Sequence, residues 1–237
     1  KPKGFHKSLY LFSGHQYKVI EEIVTDLRKS SYICKRKTTA AMLSTDRRIL
    51  SLALPSIVQN VTVPLLGLAD LTIVGHLGSA RAMGAIAVGS MVFNVIYWLL
   101  GFLRMGTSGL TSQAYGRNDA ADARRLLRRV LLISLALGLL LIIGQWPLRW
   151  LAMRVIHPSA GVVPLASLYF SICIWGAPAV LGLYGLNGWF VGMQDTRTPL
   201  YVAVAQNVLN IAASLSFVYL LGLNIAGVAL GTLTAQW

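Results

Sequence analysis

Charge is scarce in this 237-residue chain: 12% of residues are charged, where a soluble domain carries about one quarter. No Asp, Glu, Lys or Arg occurs in 49–69, 82–103, 130–148, 155–194 or 198–237. A helix crosses about 30 Å of hydrocarbon with roughly 17–25 mainly apolar residues. Uncharged stretches of that length, repeated along the chain, exclude a soluble domain and indicate a polytopic membrane protein. Cysteine is nearly absent too. Cys34 lies in a basic leader and Cys173 in an apolar stretch, which excludes a disulfide framework and a thiolate metal site. Catalytic signatures are also missing: there is no HExxH, no GxSxG, no Walker A loop and no DxxxD repeat. Neither an enzyme nor a resident metal or cofactor is expected. His76 and His157 stand singly near span ends, where an interfacial position accounts for them.

Acid is the rarer sign of charge. Lys and Arg number 21 against 8 Asp and Glu, a formal net charge of +13. In a multi-span protein such an excess reflects topology and contact with anionic lipid rather than nucleic-acid binding. Lysine stops early: Lys1, Lys3, Lys7, Lys18, Lys29, Lys35 and Lys37 are followed by arginine alone. The chain therefore reads as two pieces. Residues 1–41 form a basic extension with no run long enough for a signal peptide or a span. From Met42, MLSTDRRILSLALPS leads straight into the first apolar span, as bacterial membrane proteins commonly start. The extension is expected to be non-native, either vector-derived or upstream sequence wrongly taken as coding; the alternative is a genuine basic cytoplasmic arm.

What is present is a bundle of about six transmembrane helices, all-α. The apolar runs place spans at about 49–74, 82–105, 130–148, 164–190 and 199–221, with a sixth from about 224. The sixth reaches residue 237 after 14 residues, so it is expected to be cut short inside a helix. Arginines near the span ends give the orientation. With the N-terminus in the cytoplasm, nine (Arg47, Arg48, Arg104, Arg117, Arg124, Arg125, Arg128, Arg129, Arg197) lie inside and three (Arg81, Arg149, Arg154) outside. The loop GRNDAADARRLLRR dominates this asymmetry, and Asp122 is spaced to meet Arg125 and Arg129 on a helix. A solvated basic flank against anionic headgroups accounts for it.

Asp70, in PLLGLADLTIVG, is the acid flanked by apolar residues within a span. An ionised carboxylate there is costly, so such acids face a cavity or a partner and mark ion pathways. Proton binding is the leading reading; the alternative is solvation among the outer headgroups near Gly75. Polar residues within the spans supply partners: Asn60 and Thr62 on the first, Asn94 and Tyr97 on the second, Tyr184 and Asn187 on the fourth, and Gln206, Asn207 and Asn210 on the fifth. Asn207, Asn210 and Ser214 share a helix face. Together they suggest a hydrated cavity, with interhelical packing as the alternative for each residue singly. Pro55, Pro64 and Pro178 each remove a backbone hydrogen bond within a span and can bend it.

LALPSIVQNVTVPLLGLADLTIVGHLG, GLTSQAYGRNDAADARRLLRR and GLNGWFVGMQDTRTPLYVAVAQNVLNIAASLSFVYLLGLNIAGVALGTLTAQ, in order, closely resemble the multidrug and toxic compound extrusion (MATE) family, in its DinF-like branch. The resemblance runs from about Met42 to Trp237. It implies one six-helix lobe, residues 42–237, of a twelve-helix antiporter that exchanges protons or sodium inward for organic small molecules outward. Its implied home is the bacterial cytoplasmic membrane. A central cleft would then require a C-terminal lobe or a second copy of this chain. Carried over by position, Asp70 matches the carboxylate held to bind the coupling proton. Pro55 matches the proline at which the first helix bends. Asn187, Asn210 and Thr232 match the surrounding hydrogen-bond network, and Asn60, Tyr184, Asn207 and Ser214 are candidate cavity lining. Ser214 departs from the branch, many of whose members carry a second carboxylate there; the departure leaves Asp70 as the sole titrating candidate. Two other functions stay open: a lipid-linked precursor flippase of the same superfamily, and a non-transporting fragment.

Overall fold

The computed structural model describes residues 49–61, 67, 70–75 and 79–237. The expectations for residues 1–41, Arg47, Arg48, Thr62, Pro64 and His76 lie outside the described residues. The chain divides into two compact units, 1–51 and 52–237; the second holds the helical bundle. Among the described residues every regular element is helical. They are α1 (Ile49–Val61), α2 (Ala80–Leu99), α3 (Phe102–Gly116), α4 (Ala120–Ile143), α5 (Gln145–Ile156), α6 (Val163–Cys173), α7 (Ala177–Gly192), α8 (Arg197–Leu215) and α9 (Asn224–Gln236). Residues 70–75 are also helical. Ala80–Gly116, Ala120–Ile143, Val163–Gly192 and Arg197–Leu220 are each long and apolar enough to cross a membrane.

The termini follow from side-chain chemistry. Ser79 caps α2 by accepting from the Ala82 amide at 3.3 Å. Asp119 caps α4, its Oδ1 accepting from Ala121 and Asp122 at 3.1 and 2.9 Å, which satisfies amides the first turn leaves unpaired. This cap starts α4 ten residues before the apolar run, so the expected loop before residue 130 is mostly helix. Asp122 pairs with Arg117 at 2.9 Å, in place of the expected Arg125 and Arg129. Helical side chains lean toward the N-terminus, which carries this first-turn carboxylate back to Arg117, two residues before the cap.

Proline sets two interior breaks. The expected third span, 130–148, is divided: α4 ends at Ile143 and α5 begins at Gln145. Pro147 has no amide to give the Ile143 carbonyl, and its ring crowds that carbonyl. Pro178 likewise cannot bond to Ile174, and Ile174–Gly176 tightens into a 3₁₀ turn between α6 and α7. At the far end of α8, Ser216–Leu220 widens into a π turn packed on α9.

α7 packs chiefly on α3 and α4, α2 on α6, and α8 on α9, with α6 also against α9. Small residues permit these approaches, as membrane helices require where no hydrophobic force separates protein from lipid. A Cβ at Gly188 would stand 2.5 Å from the Arg104 carbonyl oxygen and 3.0 Å from Thr107 Cβ. One at Gly138 would press into the backbone of Pro178. Two long-range hydrogen bonds fix the α4–α7 pairing: Ser134 Oγ donates to the Leu181 carbonyl at 3.0 Å, and Trp189 Nε1 to the Ala123 carbonyl at 2.9 Å. The larger buried cluster includes Ile86, Phe93, Phe170, Ile174 and Val228, with residues of α2, α6 and α9 interleaved. Phe93 stacks on Phe170 at 5.1 Å.

Candidate functional site

Asp70 sits in the helical residues 70–75 and is 3% exposed. It lies beside Ile73 and Val74 of the apolar cluster, so its carboxylate is enclosed by protein. α9 supplies its hydrogen-bond donor: Thr232 Oγ1 lies 3.0 Å from Asp70 Oδ2. The same hydroxyl lies 3.0 Å from the Val228 carbonyl, one turn back on its own helix. It carries one hydrogen, so it serves one acceptor at a time. α8 supplies the next shell. Asn210 Nδ2 donates to Thr232 Oγ1 at 3.1 Å, and Asn210 and Ser214, one turn apart, both face the carboxylate.

Ser214 is fully buried because α9 presents Gly231 to it, and a Cβ at that glycine would collide with the Ser214 side chain and backbone. The close crossing of α8 on α9 thus brings three polar groups from two helices onto one carboxylate. Asp70 Oδ1, Asn210 Oδ1 and Ser214 Oγ are buried without a hydrogen-bond partner among the described residues. Two of these are obligate acceptors when Asp70 is ionised. The cluster therefore leaves two acceptors and the Ser214 hydroxyl, itself a donor, unmatched, and burial makes that mismatch costly.

The sequence-derived candidates do not all converge. The structure brings together Asp70, Asn210, Ser214 and Thr232. Asn187 is buried on α7, whose packing is with α3 and α4, and among the described residues no hydrogen bond joins it to Asp70. Tyr184, also on α7, meets the Tyr97 ring edge-on at 6.3 Å and faces Arg104. Asn207 is half-buried one turn before Asn210, while Asn60 is exposed on α1. Pro55 falls inside α1, and Ser56 Oγ donates to the Leu52 carbonyl at 3.0 Å, a back-bond that itself bends helices slightly.

Two residues near the carboxylate have no counterpart among the candidates. Tyr169 and Cys173, four apart on α6, are buried close enough to Asp70 to feel its charge. Their i, i+4 spacing placed them on one face, but nothing local pointed that face at Asp70. The nearness comes from α6 packing between α2 and α9.

The family described as MatE matches residues 55–216. The chain is 38% identical over 208 residues to DNA damage-inducible protein F of Escherichia coli (strain K12), covering 88% of this chain and 45% of that protein. Its fold matches a solved structure described as the outward-facing conformation of a multidrug resistance MATE family transporter of the MOP superfamily, with TM-score 0.73, 27% identity and coverage of 80% and 42%. A second, a crystal structure of MATE in the bent conformation, gives TM-score 0.74 at 27% identity and the same coverage, 80% and 42%. The chain spans less than half the length of these relatives. Matched across most of its described residues in sequence and in fold, the chain belongs to the MatE family of multi-pass membrane transporters.

Proposed function

We propose that this chain is the N-terminal lobe of a proton-coupled antiporter that exports organic compounds across the bacterial cytoplasmic membrane, with its N-terminus inside. The observation that carries the reading is the buried carboxylate of Asp70, held by one switchable hydroxyl among unpartnered polar atoms. When Asp70 is ionised, the Thr232 hydroxyl is drawn to Oδ2, because a hydrogen bond to a charged acceptor is about twice as strong as a neutral one. A proton arriving on Oδ1 turns that oxygen from acceptor to donor, for one of the α8 acceptors left unpartnered, Asn210 Oδ1 or Ser214 Oγ. It also removes the charge that held Thr232, whose hydroxyl then has the Val228 carbonyl at the same 3.0 Å.

Proton binding thereby loosens the tie between the first span and α9 and tightens one between Asp70 and α8. The first span carries Pro55, where a missing backbone bond lowers the cost of bending. Coupling requires the two protonation states to favour different conformations, and the exchange of partners on two helices supplies that difference. In the two-lobed transporter, Asp70→Asn abolishes efflux of a fluorescent organic cation driven by a pH gradient, while the protein still accumulates in the membrane. Unchanged efflux in that variant contradicts the reading. Efflux that follows a sodium gradient at fixed pH assigns the oxygen cluster to sodium instead.

A further inference from the structure

α5 buries none of its residues fully, although it lies between Ala120–Ile143 and Val163–Gly192, both long and apolar enough to span a membrane. Its packed side is an i, i+3, i+4, i+7 stripe in which Ala152, Met153 and Ile156 rest against the apolar cluster. Arg149 holds the first place of that stripe. The residue is half-buried, and Nη1 donates to Ser171 Oγ on α6 at 2.9 Å. Ser171 in turn donates to the Ser167 carbonyl at 2.8 Å, so this neutral partner brings no counter-charge. Among the described residues the ion pair present is Arg117–Asp122. The described acids other than Asp70 are Asp119 and Asp122 at the opposite end of α4, and Asp195 beyond the opposite end of α7. A guanidinium on the packed side of a helix between two spans is costly without an anion.

The exposed side of α5 indicates which anion. Trp146, Trp150 and Arg154 recur every four residues; the two tryptophans are 67% and 53% exposed, and the Arg154 guanidinium lies 5.1 Å from the Trp150 ring centre. Tryptophan with arginine is the composition of the headgroup level of a bilayer. Arg81 adds another guanidinium, its side chain against Gly161 in the turn after α5. We propose that Arg149, with Trp150 and Arg154 on the adjoining exposed side of the same helix, binds the phosphate of an anionic phospholipid whose acyl chains lie along the exposed apolar face of α5. The guanidinium fork suits phosphate oxygens, and the bilayer covers what the protein leaves open. The assignment is independent of the coupling ion.

The test uses the full 237-residue chain in phosphatidylcholine vesicles containing brominated phosphatidylglycerol or, in parallel, brominated phosphatidylcholine. Tryptophan quenching is read as the part lost in Trp150→Phe. Brominated phosphatidylglycerol is expected to quench that part preferentially. Arg149→Gln lowers the preference about fivefold, whereas Arg149→Lys, which keeps the charge but loses the fork, lowers it less. Arg154→Gln, at an exposed position, lowers it as well and decides the matter if Arg149→Gln loses its helical circular dichroism. Equal quenching by the two lipids in the wild type overturns the assignment. So does a preference that survives Arg149→Gln and Arg154→Gln, or one that vanishes instead with Arg124→Gln and Arg125→Gln at the other end of α4.

Discussion

Thr232 has one hydroxyl hydrogen and two acceptors at equal distance, which makes it the most sensitive probe of the Asp70 cluster. Thr232→Val keeps the shape but removes both the donor to Asp70 and the acceptor for Asn210. Leaving those groups unpaired in a buried place costs about 1–3 kcal/mol, read as a lower thermal midpoint in detergent; Thr232→Ser should recover most of the loss. Asp195 offers a pH test outside the spans. The Thr198 hydroxyl at 2.6 Å, with the Thr198 and Arg197 amides at 3.1 Å, holds its carboxyl below the usual carboxylate range. A depressed value means the charged form stabilises the fold above the unfolded pKa of about 3.9, and that stability is lost as pH falls through the lower folded value. Asp195→Asn should therefore melt earlier than wild type at pH 7, and the two midpoints should converge in acid. Asp70 was legible in the sequence because a lone acid among apolar residues stands out. Tyr169 and Cys173 were not, since tertiary packing alone turns their face toward it.

Elements were legible where composition sets them and illegible where a single backbone group does. The apolar runs marked the spans, yet the Asp119 cap moved the start of α4 and Pro147 ended it early. The Arg117–Asp122 pair shows the same limit: helical spacing named Arg125 and Arg129, whereas the lean of first-turn side chains selected Arg117. The α3–α7 crossing gives a prediction with opposite signs on one helix. Gly188→Ala forces a Cβ against the Arg104 carbonyl and should cost about 1–3 kcal/mol by overpacking. Gly182→Ala meets nothing within 4 Å and should stabilise by about 0.5–1 kcal/mol, because alanine loses less backbone freedom in a helix. Chemical unfolding of the two variants in parallel checks both signs; destabilisation of equal size would refute the packing.

The whole molecule joins charge, fold and site. The chain is basic, but its bundle carries much of the positive charge on the first turns of α4 and on α5, and sets a single described acid deep among α6, α8 and α9. That arrangement suits a transporter lobe in which one titrating group biases helix contacts, and it explains why family and fold class could be read from 42–237 before any side chain was placed. The family resemblance grouped Asn187 with the Asp70 network; among the described residues it is buried on α7, which packs chiefly on α3 and α4, with no hydrogen bond to Asp70. The direct measurement is substrate-driven proton movement. Vesicles containing the two-lobed transporter are loaded with a pH-sensitive dye, and an organic cation is added on one side with sodium held equal on both. Wild type is expected to move protons opposite to the substrate, and Asp70→Asn to move none. Proton movement in Asp70→Asn equal to that of wild type would contradict the account.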